Sequence, residues 1–199
     1  MPVRKIPIQS KSVAGRFFSH KNNKLIDFES QLEKKCYLIL EFNDNIISYE
    51  PQPLKIENYI PDILAYRAND IPLLIEVKYS DEAFNPNEKL KRKFDALNKY
   101  AKENNLEFKI FTEQDIKEPY FSNINLIYNY AKISINNEII SNILKLIPKE
   151  GISIAQLLTK VNNEMNYLSH IYHLIFQKKL ETNLNKKLSQ NSILRINSD

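Results

Sequence analysis

Along the first two-thirds of the chain the apolar positions change period several times, and each change marks an element. Over 28–42, Leu32, Tyr37, Leu38 and Leu40 stand among Glu29, Glu33, Lys34, Lys35 and Glu41, a spacing that predicts a helix, with Asp27 as its cap. Short strands follow at 46–49 and 54–59, joined by Pro51-Gln52-Pro53, which cannot continue a ladder. Residues 62–67 and 73–79 read as a strand pair around Asn69-Asp70, and 85–104 as a helix with an apolar stripe of Leu90, Phe94, Leu97 and Ala101. A strand at 107–112 and a helix at 123–133 complete an α/β core with a mixed β-sheet flanked by helices.

Beyond residue 136 the texture becomes helical. Ile139, Ile140, Ile143, Leu144 and Ile147 form one stripe that Pro148 and Gly151 terminate, and Ser153 can cap a second helix. A third amphipathic stretch runs over 165–177, before short strands at 180–184 and 192–196. Three helices and a strand pair are the layout of a winged helix-turn-helix. The expected organisation is a basic N-terminal arm over 1–26, an α/β domain over 27–136 and a small C-terminal winged-helix domain over 137–199.

Composition narrows the chemistry. Of 199 residues only Gly15 and Gly151 are glycine, where average usage of roughly 7% would give about fourteen. Phosphate-cradling loops and dinucleotide fingerprints need several glycines, so simple nucleotide-binding enzymes of those kinds are excluded. The formal net charge is +4. Before Asp27 the chain carries Arg4, Lys5, Lys11, Arg16, Lys21 and Lys24 and no acid, a distribution suited to a polyanionic partner or to a solubilising tail. The single Cys36 excludes an intrachain disulfide and a cysteine zinc cluster. No apolar run is long enough to span a membrane, so a cytoplasmic protein is expected.

The chemistry-bearing pattern is Pro61-Asp62 followed by Ile75-Glu76-Val77-Lys78. Side chains alternate along a strand, so Glu76 and Lys78 share a face, and Asp62 on an adjacent strand reaches the same place. A carboxylate on a buried strand is costly unless it is paired or holds a metal. Two carboxylates and the Val77 carbonyl make a hard oxygen site suited to Mg2+, for which Mn2+ can substitute. Such an ion serves phosphodiester hydrolysis as Lewis acid and as activator of water, with Lys78 orienting the water or neutralising phosphate charge. The same three residues also read as a surface ion pair on a strand. Glu29 and Glu33, a turn apart, can approach a metal from outside the sheet or form a solvated helix edge.

Gly15 with Arg16-Phe17-Phe18-Ser19, Phe28-Glu29-Ser30 with Leu32-Glu33, then Gln52-Pro53, Pro61-Asp62 and Glu76-Val77-Lys78 arrive in one order. The series resembles the PD-(D/E)xK nuclease superfamily, which has a restriction-endonuclease-like core, and within it the TnsA-like endonuclease subunits of heteromeric transposases. The resemblance implies Glu29, Asp62 and Glu76 as metal-binding carboxylates, Val77 as carbonyl ligand and Lys78 as catalytic lysine. It also implies cleavage at the 5′ ends of a transposon in double-stranded DNA, beside a DDE transposase and an AAA+ ATPase regulator, in a prokaryotic or phage-encoded protein associated with the nucleoid when active. Alternatives are a self-sufficient phage or restriction-type nuclease of the same fold and a catalytically degenerate DNA-binding or assembly module.

Arg16, Ser19, Lys21 and Gln52 are candidate DNA contacts. The basic cluster Lys89, Lys91, Arg92 and Lys93 reads more readily as a solvated helix face than as a grip on DNA. Beyond His170-x-x-His173 the histidines, His20 included, lack ligand-like spacing, and those two lie on a helix rich in core residues, which favours packing or surface roles; Cys36 reads as a core thiol.

Overall fold

The computed structural model describes residues 13–161 and 166–197, in two compact units that divide between Ile116 and Lys117. Arg4, Lys5 and Lys11 of the expected arm lie outside the described residues, as does Met165, the expected start of the last helix.

The first unit opens with strands β1 (Gly15–Ser19) and β2 (Lys24–Phe28), paired antiparallel, where the sequence reading places a basic arm. Phe17, Ile26 and Phe28 alternate with exposed partners and are buried, and the Phe28 ring crosses so close to Gly15 that a Cβ there would stand 2.7 Å from it. The reversal runs through His20-Lys21-Asn22-Asn23, with Asn23 at φ 48°, a left-handed turn that asparagine tolerates. Helix α1 (Gln31–Phe42) therefore begins later than expected, and its cap is Ser30 rather than Asp27.

The sheet consists of β3 (Ile46–Pro51), β4 (Ile63–Arg67), β5 (Leu73–Val77) and β6 (Glu107–Phe111) in that spatial order. The first two pairings are antiparallel and β5 with β6 is parallel, so the sheet is mixed, as expected of this α/β class. Ile63, Leu64, Ala65, Leu74, Ile75 and Val77 are all buried, so the two central strands are covered on both faces. Leu64 and Leu74 pack with Leu97 and Ala101 of helix α3 (Glu88–Glu103), which follows the short α2 (Ser80–Phe84). Each such leucine removed from water contributes about 1.5–3 kcal/mol. The strand expected at 54–59 is instead a loop closed by one bridge in which Ile56 and Tyr59 exchange hydrogen bonds of 2.8 and 2.9 Å around Glu57 at φ 53°.

The hairpin is fastened to α1 through Glu41. This carboxylate lies in the last helical turn, where the helix dipole disfavours it, yet it is buried. Four donors compensate: the hydroxyls of Ser19 at 2.5 Å and Tyr49 at 2.6 Å, and the backbone N–H groups of His20 at 3.1 Å and Lys21 at 3.2 Å. The Lys21 ammonium meanwhile donates to the carbonyls of Asn43, at 2.5 Å, and Ile46, placing a cation at the negative end of the helix.

The second unit contains α4 (Tyr120–Tyr128), α5 (Asn137–Lys145), α6 (Ile154–Lys160) and α7 (Asn166–Phe176), with a sheet of β7 (Ile152–Ser153), β9 (Ile193–Ile196) and β8 (Leu180–Glu181) in that order. Ser153 caps α6 in a reciprocal capping box with Gln156, as its position in the sequence predicts. Gly151 sits at φ 93°, and a Cβ there would stand 2.8 Å from Ile193 and 2.9 Å from the Leu194 carbonyl. The sequence reading ended the α/β domain at residue 136, whereas α4 falls within the second compact unit. Among the described residues no helix is long and apolar enough to cross a membrane.

Removing Glu41 leaves buried donors without an acceptor. Glu41→Ala is expected to cost about 3 kcal/mol in urea unfolding, since each orphaned group costs roughly 1–3 kcal/mol; a loss under about 1 kcal/mol would refute its fastening role.

Candidate active site

Sheet register assembles the site. Ile63 pairs with Ile75, so the next residues outward, Asp62 and Glu76, stand opposite each other. On the other side Pro51 pairs with Ile63, and the Gln52 N–H donates to the Asp62 carbonyl at 2.8 Å. Gln52, Asp62 and Glu76 thus form one row across three strands. Lys78, two residues beyond Glu76, returns to the same face.

Glu76 has no solvent exposure. Its Oε1 accepts the Lys78 ammonium at 2.8 Å and also that of Lys93 from α3. Its Oε2 is buried and has no hydrogen-bond partner. Asp62 Oδ2 accepts the Val77 N–H at 2.7 Å and lies 3.8 Å from Lys78 Nζ. Lys78 also donates to the Val77 carbonyl at 2.8 Å, so this oxygen faces the same space. Burial first, and then the adjoining Glu76 charge, push the Asp62 carboxyl up to about 7. Burial works against the Lys78 ammonium, but Asp62 and Glu76 outweigh it and hold its pKa above the ordinary lysine value.

Glu29 lies between β2 and α1 rather than on the helix. Its Oε1 accepts the Gln52 side-chain N–H at 2.9 Å, which ties it to the end of the row. Glu33 does not share its direction. Its carboxylate folds back onto the Glu29 N–H at 2.9 Å and the Ser30 hydroxyl at 3.1 Å, while its own N–H donates to Ser30 Oγ. Burial raises the Glu33 carboxyl above its usual range.

The residues proposed from sequence therefore divide. Asp62, Glu76, Val77 and Lys78 converge, and Glu29 joins through Gln52. Ser19 is fully buried against Glu41 and has no surface to offer DNA, and the Lys21 ammonium is engaged by the carbonyls of Asn43 and Ile46; Arg16 is exposed, 3.4 Å from Asp27. Lys93 was assigned to a solvated face, yet its ammonium enters the site. A signal was available, since Lys93 stands three residues after Leu90 and four before Leu97 and so occupies the buried stripe. His173 is buried with Nδ1 2.8 Å from the Tyr130 carbonyl, and Cys36 is a buried thiol that burial holds well above its usual pKa, both consistent with packing roles.

Beside the row lies an open cleft of about 630 Å³ lined by Lys78, Lys93, Lys89, Glu82, Asn58 and Tyr59. Its cations suit a phosphate-bearing substrate. Among the described residues no three acidic, histidine or cysteine side chains form a ready metal cage; the carboxylates that meet are Asp62 and Glu76. The unpartnered Glu76 Oε2, the Asp62 carboxylate and the Val77 carbonyl are hard oxygen donors that fit a magnesium or manganese ion.

Two family models match the chain. The TnsA-like endonuclease N terminal model matches residues 22–113 and the TnsA endonuclease C terminal model residues 115–184. No curated protein matches it.

A carboxyl whose folded pKa exceeds its unfolded value of about 3.9 favours folding fully only below that value, and this contribution is lost as pH rises through about 7. In chelator, Asp62→Asn is expected to equal wild type in stability near pH 4 and to exceed it above pH 7 by on the order of 2–4 kcal/mol. Parallel stability profiles of the two proteins would contradict this environment for Asp62.

Proposed function

The chain belongs to the TnsA-like endonucleases, and we propose that it is the metal-dependent endonuclease subunit of a heteromeric transposase, hydrolysing the phosphodiester at the 5′ ends of the element during cut-and-paste transposition. The observation that carries this reading is the row of Asp62 and Glu76 with Lys78 beside a basic cleft, inside the unit that the endonuclease model covers.

Asp62, Glu76 and the Val77 carbonyl would hold Mg2+, with Mn2+ as a substitute, and Glu29 approaches from the Gln52 end of the row. When bound, the ion supplies Lewis acidity at the phosphate and lowers the pKa of water. Lys78, half-buried between two carboxylates, keeps its proton and so is suited to orient the attacking water and to neutralise charge that develops on the phosphate oxygens. Lys93 neutralises Glu76 and presents a second cation to the cleft. The buried surroundings strengthen each of these interactions relative to water.

The partners in this reading are the double-stranded transposon ends, a DDE transposase subunit and an AAA+ ATPase regulator, and the setting is the cytoplasm. The second unit, with α5, α6 and α7 followed by β8 and β9, is read as a winged helix. A competing reading, a catalytically silent DNA-binding module, draws on the contact of Lys93 with Glu76, which places a cation where a metal ligand is needed.

End cleavage assayed with the transposase present is expected to fall at least about a hundredfold in Asp62→Ala and in Lys78→Ala. Cutting by either variant at the wild-type rate would overturn the assignment. Calorimetry separates the silent module: the nuclease reading expects Mg2+ or Mn2+ binding that Glu76→Ala loses, whereas the module expects none in either protein.

A further inference from the structure

The connection from β8 to β9 collects charge in a way that the core of the second unit does not require. Residues 182–197 include Lys186, Lys187 and Arg195 and no acid, and all three cations are exposed. Among the described residues none of the three is ion-paired. Together with Ser189 and Asn191 they line a concavity of about 390 Å³. The nearest acid by register is Glu181, opposite Arg195 on the ladder, so the surface stays net positive.

This loop is held from inside. Asn123 of α4 is buried, and its side-chain amide donates to the carbonyls of Leu184 and Lys186, both at 2.8 Å, while its oxygen accepts the Leu188 N–H at 3.1 Å. One buried side chain thus brackets Lys186-Lys187. Further bonds close the loop on itself, from the Ser189 N–H to Ser192 Oγ at 3.0 Å and from the Asn191 N–H to Ser189 Oγ at 3.2 Å. Ordering a loop on binding has an entropic cost; here the backbone of the loop is already bonded in place.

Holding like charges side by side disfavours the free protein and favours a complex with a dense polyanion. Helix α7 has no Lys or Arg over Asn166–Phe176, so it cannot neutralise phosphates. We propose that the β8–β9 loop is a preformed binding site for the phosphate backbone of double-stranded DNA, gripped by Lys186, Lys187 and Arg195 with hydroxyl and amide support from Ser189 and Asn191. The contact is independent of base sequence, and it needs neither metal nor cleavage, so it stands or falls separately from the nuclease assignment.

The test is fluorescence anisotropy of the full chain with a labelled DNA duplex of arbitrary sequence, in chelator, across 50–200 mM salt. The comparison protein is the triple variant Lys186→Gln, Lys187→Gln, Arg195→Gln, whose exposed positions leave the fold intact, checked by thermal melting. Three lost phosphate contacts reduce the slope of log affinity against log salt by about 2.7, so across that range wild type should lose about 40-fold more affinity than the variant. Asn123→Ala keeps every charge and should weaken binding several-fold with the slope unchanged. Equal affinity and slope in wild type and the triple variant would overturn the proposal. So would unchanged duplex binding with loss of a protein partner, which would reassign the loop to protein contact.

Discussion

A glutamate with no solvent exposure stands at the outer end of the central strand β5, and much of the first unit is arranged to make it tolerable. Removing an ionised carboxylate from water costs several kcal/mol even after relaxation, and attraction to a partner offsets this only with good geometry. Glu76 has two ammonium partners, one from its own strand end and one from α3. Because Lys93 must reach it, α3 has to cross the sheet with its charged position directed inward beside the Leu97 stripe. The apolar packing of α3 and the charge balance of the site are one constraint.

That constraint also sets the state of Asp62. Directly opposite Glu76 and largely removed from water, it cannot be a second easy anion, and its carboxyl rises to about 7. Lys78 lies against both acids and is held protonated by them. A site with one oxygen of Glu76 unsatisfied and one carboxyl near neutrality is poised to accept positive charge. A divalent cation would favour the anionic form of Asp62, which is the electrostatic logic of metal-dependent phosphodiester hydrolysis.

Side-chain alternation made this much legible in the sequence, because period-two geometry alone puts Glu76 and Lys78 on one face. Ser153 and Gly151 were legible for similar reasons, since caps and left-handed turns are local. Lys93 was missed because an amphipathic stripe is usually read by residue type, and a lysine inside it is sorted to the surface. The β1–β2 hairpin was missed because its strands have five residues each and its cations suggested an arm. The place of α4 was illegible for a different reason: the bonds of Asn123 span 61 to 65 residues, beyond any local period.

Gln52 shows how the remaining carboxylate is brought in. Flanked by Pro51 and Pro53, it holds φ 45°, a left-handed conformation that costs a residue with a side chain roughly 1–2 kcal/mol. Two bonds offset that cost, from its N–H to the Asp62 carbonyl and from its amide to Glu29. Had the strand continued regularly, alternation would have set the direction of the Gln52 side chain by pleat alone. The turn instead lets one residue bond Asp62 through its backbone and Glu29 through its side chain. Glu29, which belongs to no strand of the sheet, is thereby coupled to the row of Asp62 and Glu76. Local backbone strain is thus placed where the Gln52 turn couples Glu29, just beyond β2, to the row across the sheet.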